Sequence, residues 1–497
     1  MVDDGDVRRN SGGGTLFGPY EVEYGGRKYF GNVWMREFHT FRRADGIYLF
    51  VVDQMAVHKI SEATARIIDK VSCSSGGLVP ASMLEHLKVF DLVEEKDKPA
   101  SRKAESNGKR DRAAGNKAEL GVSTIALFVA QECNMRCVYC YGRGGKYAGG
   151  GTMRDETALR AVDWLMENSK SAEKVQIFFF GGEPLLNFPL IKKTVGYAKA
   201  RASGFSKKIT FGITTNGSLI TDEIVSFMKD ENIRPLISFD GTREIQNRQR
   251  PFRDGNGSYD TVYASVQKLR PVFPQLSGRA TVYGDSDPCE IKDGMSRAGF
   301  TACFLTKASR VILDGEDATE TADDEALSHR MIAFQQKEWI RLFQSITERR
   351  VEQGDPARSL VPLVTGQKRY FTCGVGKWFA AVSVSGDIYP CHRFVGQDDT
   401  RMGTIADYRA DGLNEYHRST VDALPQCSAC WARYLCGGGC AYENKSRTGD
   451  RRMSDALSCA EMRATLETGL ALYARLDDDD REFLKDAYQS IVKDRLP

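Results

Sequence analysis

From residue 121 onward, short apolar runs alternate with amphipathic stretches, and this alternation limits the possible fold more than any other feature. Six runs have the length of strands: Ile125–Ala130, Val175–Phe180, Ile209–Thr215, Leu236–Phe239, Ala280–Tyr283 and Val311–Leu313. Helical periodicity recurs between them: Glu156–Asn168, Pro189–Ala202, Asp222–Asn232 and Ser258–Leu269. Near-continuous apolar strands joined by helices predict a parallel sheet with right-handed crossovers. The predicted class is therefore α/β.

Three cysteines follow the first of these strands, in the segment Cys133-Asn-Met-Arg-Cys137-Val-Tyr-Cys140. Three thiolates on a four-iron cluster leave one iron without a protein ligand, and a small chelating cofactor can bind there. The spacing alone would also suit a zinc loop or a fortuitous grouping of thiols.

Short polar and glycine-rich motifs follow the next three strands. Gly181-Gly182-Glu183-Pro184 follows the second, Thr214-Thr215-Asn216-Gly217 the third, and Ser238-Phe239-Asp240-Gly241 the fourth. In barrels of parallel strands, chemistry collects on the loops after the C-terminal ends of the strands. Glycine lets backbone approach a ligand closely, and Glu183 can accept charge-assisted hydrogen bonds from an ammonium group.

Together these motifs resemble the radical S-adenosylmethionine (SAM) superfamily. The resemblance implies a partial (β/α)6 TIM-like barrel, in which the open iron of the cluster on the three cysteines binds the amino and carboxylate groups of SAM. It also implies a set of residues that contact SAM, with Tyr139 packing near adenine: Tyr139, Gly181, Gly182, Glu183, Thr215, Asn216, Ser238 and Asp240.

A second group of cysteines lies nearer the C-terminus and resembles the SPASM domain of radical SAM peptide maturases. The resemblance implies an outer auxiliary cluster held by Cys427, Cys430, Cys436 and Cys459, and an inner one held by Cys373, Cys391 and Cys440. A zinc ribbon is the alternative for the Cys-x2-Cys pair. With the radical cluster, the implied cofactors are three [4Fe-4S] clusters and SAM.

Two fully ligated cubanes need eight thiolates, and this region supplies seven. Some family members carry an eighth cysteine shortly after the first, but the segment Gly374–Trp378 has none. We therefore expect one inner iron to be open or capped by another ligand, and an open iron could bind a substrate thiolate.

His392 follows Cys391, where sulfatase-maturating relatives carry an aspartate that can act as a base. His392 could be a catalytic base or could simply pack beside the cluster. The run Cys391-His-Arg-Phe394 resembles the maturases that make thioether-bridged peptides.

Residues 19–93 are predicted to form a few strands, including Tyr29–Val33, Gly46–Val52 and Ala56–Ile60, followed by short helices. Ser61 is a candidate cap for the first helix. The order resembles the winged-helix module with which peptide-modifying radical SAM enzymes bind a precursor leader, usually as an added strand. A dimerisation or capping domain is the alternative.

The remaining boundaries follow from composition and the motifs. Residues 94–119 are highly charged, without aromatic or branched aliphatic side chains, and predict a flexible linker at 94–120. The further divisions are the radical SAM barrel at 121–313, an insertion and bridging helix at 314–372, the SPASM domain at 373–459 and C-terminal helices at 460–497.

Composition limits the cellular setting. A chain of 497 residues predicts several domains, and a net charge of +2 gives no general attraction to nucleic acid or membranes. Met1–Gly14 lacks the apolar core of a secretory signal, and no apolar run approaches the ~20 residues of a membrane span. Thirteen cysteines in such a chain favour metal or cluster binding over disulfides. We expect a cytoplasmic protein.

The resemblance implies a radical SAM oxidoreductase that matures a ribosomally made precursor peptide by forming thioether cross-links from cysteine to carbon, as ranthipeptide and sactipeptide synthases do. It also implies a low-potential electron donor, flavodoxin or ferredoxin. The alternatives are a formylglycine-forming sulfatase maturase, a maturase that forms carbon–carbon cross-links, and a non-enzymatic Fe–S electron-transfer protein.

Overall fold

The computed structural model describes residues 15–24, 27–72, 81–95, 121–147, 149–309, 324–350, 355–408 and 420–495. The predicted strand Val311–Leu313 and residues 96–120 of the predicted linker lie outside these ranges. None of the helices within them is long and apolar enough to cross a lipid bilayer.

The N-terminal region contains two small antiparallel sheets, with strand orders β1-β2-β6 and β3-β4-β5, and two helices. Its elements are β1 (Thr15–Tyr24), β2 (Arg27–Met35), β3 (Phe38–Arg43), β4 (Gly46–Val51), β5 (Ala56–Ile60), α1 (Glu62–Ser72), α2 (Ala81–Lys88) and β6 (Val93–Glu95). The predicted cap on α1 is confirmed, because the Ser61 Oγ accepts a hydrogen bond from the Thr64 amide at 3.1 Å. Strand β6 extends to Glu95, so the predicted linker begins too early at residue 94. The winged-helix identity of this region stays a prediction.

An open eight-stranded sheet forms the centre of the molecule. Its strands are β7 (Thr124–Ala130), β8 (Lys174–Gly181), β9 (Lys208–Thr215), β10 (Ile233–Ser238), β11 (Ser277–Val282), β12 (Ala302–Lys307), β13 (Phe379–Val382) and β14 (Ile388–Tyr389). The spatial order is β12-β11-β10-β9-β8-β7-β13-β14, and only the pair β13–β14 is antiparallel. The predicted, mostly parallel sheet is confirmed.

The sixth strand of the barrel differs from the prediction. Strand β12 has the sequence ACFLTK, and only Leu305 among its residues is fully buried. This strand lies at the edge of the sheet and mixes polar and apolar residues, so no apolar run marks it in the sequence. In contrast, every residue of β7 from Ile125 to Ala130 is buried.

Helices join the barrel strands and cover one face of the sheet. They are α3 (Asp155–Asn168), α4 (Phe188–Gly204), α5 (Asp222–Asp230), α6 (Arg243–Gln249), α7 (Tyr259–Leu269) and α8 (Pro288–Ala298). Their apolar faces and the sheet form one continuous core, which fixes where each strand ends.

The C-terminal half is helical apart from the hairpin β13–β14. Its helices are α9 (Asp324–Thr347), α10 (Asp355–Thr365), α11 (Arg433–Cys436), α12 (Ala441–Thr448), α13 (Ala456–Tyr473) and α14 (Asp478–Arg495). Strand β13 pairs in parallel with β7, with Phe379 opposite Thr124. This pairing attaches the cysteine-rich region to the first strand of the barrel.

The N-terminal region packs directly against this cysteine-rich region. The His39 ring stacks on the Trp431 ring at 4.1 Å, and Arg433 forms two 2.5 Å ion-pair contacts with Glu37. Phe50 belongs to a core that also contains Cys427, whereas its neighbour Leu49 faces α1 and α2. One sheet of the N-terminal region therefore has a core on each face.

Candidate active site

A cavity of about 1050 Å³ opens at the C-terminal edge of the barrel strands. It is lined by all three cysteines of the predicted radical site and by residues that follow β8, β9 and β10: Cys133, Cys137, Cys140, Tyr139, Gly181, Gly182, Thr214, Thr215, Asn216 and Ser238. Six of the eight predicted SAM contacts line this cavity.

Backbone hydrogen bonds fix the cysteine loop to the barrel. The amide of Arg136 donates to the carbonyl of Pro251 at 2.9 Å, and the amide of Val138 donates to that of Gln249 at 2.9 Å. The side-chain amide of Asn216 donates to Asn134 Oδ1 at 2.8 Å. The three thiols are thus held against the motif that follows β9.

Burial raises the pKa of the Cys133 thiol and raises that of Cys137 to about 12. The neighbouring thiol of Cys140 raises both values further. Free thiols are therefore protonated at neutral pH, and metal binding must displace their protons.

The two glycines after β8 serve backbone packing. Gly181 has φ +135°, and a Cβ built on it would lie 2.0 Å from the Ala130 carbonyl oxygen. A Cβ on Gly182 would lie 2.2 Å from the Glu132 carbonyl oxygen. Both residues line the cavity, but the structural reason for glycine is the close contact between β8 and the start of the cysteine loop.

Glu183 lies behind the cavity wall. Its side chain is fully buried, Oε1 accepts from the Leu185 amide at 3.0 Å and from the Thr215 hydroxyl at 2.7 Å, and Oε2 accepts from the Asn216 amide at 2.7 Å. Burial raises its pKa, while these hydrogen bonds oppose the shift. Glu183 therefore fixes the backbone of the Thr215–Asn216 turn, and its predicted contact with SAM stays a prediction.

Asp240 is likewise fully buried, and it is the partner of Tyr139. The Tyr139 hydroxyl donates to Asp240 Oδ2 at 2.5 Å and accepts from Arg250 Nη1 at 2.7 Å. Asp240 Oδ1 accepts from the Thr281 amide at 3.1 Å. The predicted adenine contact Tyr139 is thus held in one position by a buried carboxylate and a buried guanidinium.

Arg250 was not among the predicted site residues. It lines the cavity and is 8% exposed. In the sequence, Arg250 stands just before Pro251, at the end of a polar helix. Nothing in that pattern distinguishes it from Arg248. Tertiary contact with Tyr139 is what identifies it.

His392 and Arg393 bring the second cysteine group to the opposite wall of the same cavity. His392 Nδ1 lies 3.5 Å from Cys391 Sγ, and its ring packs on Phe180 with centroids 4.8 Å apart. Burial lowers the pKa of His392 to about 3, assisted by the guanidiniums of Arg393 and Arg279. The imidazole is therefore neutral near pH 7 and is a weak base. Its catalytic role stays a prediction.

Arg393 connects the cavity to a ligand of the predicted inner cluster. Its Nη1 donates to Glu443 Oε1 at 2.6 Å and lies 3.7 Å from Cys440 Sγ. Its guanidinium also lies over the rings of Tyr141 and Tyr442, 5.4 and 4.9 Å from their centroids. Sequence reasoning missed this residue because its partners are distant in the chain.

Electrostatic interactions connect the seven thiols of the cysteine-rich region in two groups, and the assignment of these groups to an inner and an outer cluster stays a prediction. The thiols of Cys373 and Cys440 both raise the pKa of Cys391, which burial brings to about 12. In the other group, Cys430 and Cys459 raise the pKa of Cys427, and Cys427 and Cys430 raise that of Cys436. Burial is the largest cause for Cys427, Cys436 and Cys459.

Among the described residues, no three Cys, His, Asp or Glu side chains could together hold one metal ion.

A smaller cavity of about 440 Å³ adjoins the inner set at Cys373. Its wall contains Lys377, which is 5% exposed, and the three glycines 437–439, all with φ between +75° and +100°. The amides of Gly438 and Gly439 donate to the Cys436 thiol. This cavity therefore lies between the inner and the outer thiols.

Residues 127–295 match the model of the Radical SAM superfamily. A curated relative, the radical SAM cyclopropyl synthase TigE of Paramaledivibacter caminithermalis, is 29% identical over 33% of this chain and 37% of its own length. An uncharacterized protein of Methanocaldococcus jannaschii is 36% identical over 28% of this chain and 45% of its own length. The chain therefore spans less than half the length of these two relatives.

Longer similarities extend into the cysteine-rich region. The serine-type anaerobic sulfatase-maturating enzyme of Bacteroides thetaiotaomicron is 23% identical over 65% of this chain and 83% of its own length. The solved structure of native anSMEcpe with bound AdoMet and Cp18Cys peptide superposes with a TM-score of 0.60 at 18% identity, over 71% of this chain and 98% of that one. At this identity the superposition shows a shared fold.

Proposed function

We propose that this chain, whose residues 127–295 form a radical SAM domain, modifies a ribosomally made precursor peptide and most specifically forms thioether bridges from cysteine to carbon. The observation that carries the proposal is one cavity whose walls hold the thiols of Cys133, Cys137 and Cys140 and also His392 and Arg393, which adjoin the inner thiols. A peptide in this cavity would contact both centres.

The residues fit the implied cofactors. Cys133, Cys137 and Cys140 would hold the radical cluster, with one iron left for SAM, and the two further thiol groups would hold the auxiliary clusters. When bound, these groups supply the electron that cleaves SAM to methionine and a 5′-deoxyadenosyl radical, and they accept an electron after the new bond forms.

The hydrogen and electron balance defines the product. For each bridge, a peptide carbon gives one hydrogen atom to the 5′-deoxyadenosyl group, and the cysteine thiol gives one proton to solvent. One electron from a low-potential donor is consumed in the cleavage of SAM, and one is released as the carbon–sulfur bond forms; a cluster held by Cys373, Cys391 and Cys440 would accept it. The peptide therefore loses two hydrogens.

The protein itself positions and shields the reactants. Glu183 fixes the Thr215–Asn216 turn, and Asp240 with Arg250 fixes Tyr139 at the cavity wall. Phe180 and the neutral His392 give the wall near Cys391 an apolar character. Such a wall limits the entry of water to a radical intermediate.

The relatives support action on peptides. Two curated relatives have the names of a sulfatase-maturating enzyme and a cyclopropyl synthase, and solved structures of the same fold contain AdoMet and a peptide. The sulfatase-type reaction is the second candidate, favoured by the 83% coverage of the Bacteroides relative. The position after Cys391 argues against it, because His392 replaces the aspartate expected of that type.

Mass spectrometry of a treated precursor tests the proposal. The reconstituted enzyme, supplied with SAM, a reductant and a cysteine-containing precursor peptide, should give a product that is two hydrogens lighter per bridge, with cysteines resistant to alkylation. Fully alkylatable cysteines would exclude thioether formation, and a product carrying a carbonyl would instead indicate the sulfatase-type reaction.

A further inference from the structure

Lys377 is a buried cation whose charge has no counter-ion in the described part of the chain. Its side chain is 5% exposed, and its Nζ lies 3.9 Å from the centroid of the Phe371 ring. No carboxylate of a described residue lies within ion-pair distance of it. Burying an unpaired ammonium costs several kcal/mol, and the face of one aromatic ring offsets only about 2 kcal/mol of that cost.

Arg451 and Arg452 also line the cavity around Lys377, and the thirteen residues that line it include no Asp or Glu. The ionisable group that acts on Lys377 and could carry the opposite charge is the thiol of Cys373, which also lines the cavity. An anion held at Cys373 would supply the missing counter-charge.

The two other cations near the thiols differ from Lys377. Arg393 approaches Cys440, but its charge is neutralised by Glu443 at 2.6 Å. Arg463 acts on Cys459 of the outer set. The outer thiols otherwise receive neutral donors, namely the amides of Gly438 and Gly439 and the Ser454 hydroxyl 3.5 Å from Cys427. Lys377 is thus the uncompensated charge of the inner set.

The sequence around Lys377 explains how it reaches this position. The Lys377 amide donates to the Gly374 carbonyl at 2.9 Å, and the Gly376 amide donates to that of Pro390 at 3.0 Å. Gly376 has φ +59°, which favours glycine. The turn occupies the segment in which an eighth cysteine is absent and places Lys377 in the wall of the cavity that Cys373 also lines.

We propose that Lys377 is a positioning residue of the inner auxiliary cluster, and that its ammonium supplies the counter-charge that holds this cluster at Cys373 and raises its reduction potential. The proposal rests on the proposed binding of a cluster by Cys373, Cys391 and Cys440. A positive charge stabilises the more negative, reduced state of a cluster, so its removal lowers the potential.

The test is a redox titration of the fully reconstituted protein, followed by electron paramagnetic resonance. In Lys377→Met, the ratio of reduced to oxidised inner cluster at a fixed potential should fall about tenfold, which corresponds to about 59 mV for a one-electron couple. Signals of the radical and outer clusters should keep their midpoints. Lys377→Arg keeps the charge and should restore the inner midpoint.

Lys368 provides the matched control. Its Nζ lies 4.6 Å from the centroid of the Tyr434 ring, so this lysine makes a similar contact between an ammonium group and an aromatic ring. Lys368→Met should leave all midpoints unchanged. Equal inner midpoints in wild type and Lys377→Met, or an equal shift in Lys368→Met, would overturn the role of Lys377.

The iron content separates this proposal from the one on which it rests. Wild type should contain about twelve irons per chain, four for each of three clusters. About eight in wild type would show that an auxiliary cluster is absent, which refutes the proposed ligand sets before any variant is measured. About eight in Lys377→Met alone, with about twelve in Lys377→Arg, would confirm that the ammonium holds the inner cluster.

Discussion

The radical site and the inner thiol set are built from different kinds of backbone. Cys133, Cys137 and Cys140 belong to one loop directly after β7, and backbone hydrogen bonds attach that loop to residues 249–251. The inner set takes Cys373 from before β13, Cys391 from after β14 and Cys440 from the start of α12. The first site needs one strand and one loop in place, whereas the second needs three distant segments to pack first.

The difference extends to the surroundings of each site. The radical site lies on the barrel core, whereas the core beside the outer thiols includes residues from β3 to β5 and from α9 to α14. Substitutions far from the cysteines should therefore destabilise the auxiliary region more readily than the radical site. The N-terminal region is therefore a structural support of the auxiliary region.

The largest expected effect is loss of the radical site. Cys137→Ala should abolish SAM cleavage and lower the iron content from about twelve to about eight per chain, because one four-iron cluster is lost and two remain. Cys289→Ala is the control, since this cysteine belongs to none of the three thiol groups. Continued formation of 5′-deoxyadenosine by Cys137→Ala would contradict the assignment of the radical cluster.

Loss of a ligand of the inner cluster should affect thioether formation and SAM cleavage differently. Cys391→Ala should stop thioether formation and still permit SAM cleavage, because the radical loop is anchored to the barrel independently. A precursor with intact cysteines should perturb the inner cluster's spectrum in wild type, and a Cys→Ser precursor should do so less, since thiolate is the stronger iron ligand. If Cys391→Ala also lost SAM cleavage, the two sites would not be independent.

Two adjacent residues of β4 test the support from the N-terminal region. Phe50→Ala and Leu49→Ala should each destabilise the protein, by about 3–5 and 2–5 kcal/mol respectively, because both side chains are fully buried. Hydrogen exchange should accelerate at residues 421–435 in Phe50→Ala, but at α1 and α2 in Leu49→Ala. Identical exchange patterns would show that the two faces of this sheet are not separate cores.

The smallest expected effect concerns Glu183, whose hydrogen bonds fix the Thr215–Asn216 turn. Glu183→Gln replaces one acceptor oxygen by an NH2 group that faces a donor, which should cost about 1–3 kcal/mol. We expect about tenfold weaker SAM binding in equilibrium titrations, because the Thr215–Asn216 turn loses a hydrogen bond. Glu132→Gln, an exposed position in the cysteine loop, is the control. Equal SAM affinities of Glu183→Gln and wild type would exclude this supporting role.

The first five barrel strands could be predicted from their apolar positions. β7 is an apolar run buried from Ile125 to Ala130, whereas β8 to β11 alternate buried and more exposed residues. The edge strand β12 mixes polar and apolar residues and gives no such signal. The three thiol groups stay a prediction from cysteine spacing and from the resemblance. The predicted strand Val311–Leu313 lies outside the described residues, so it stays a prediction.

The sequence by itself determined the parallel sheet and the position of the cysteine loop at its edge, because these depend on local periodicity and spacing. Only the tertiary structure decided that Glu183 and Asp240 lie behind the cavity wall and that Arg250 and Arg393 belong to it. It also decided that Lys377 has no carboxylate partner among the described residues. The physical reason is that burial and charge pairing depend on contacts such as Arg250 with Tyr139 or Arg393 with Glu443, which join residues far apart in the chain. A local pattern carries no information about such partners.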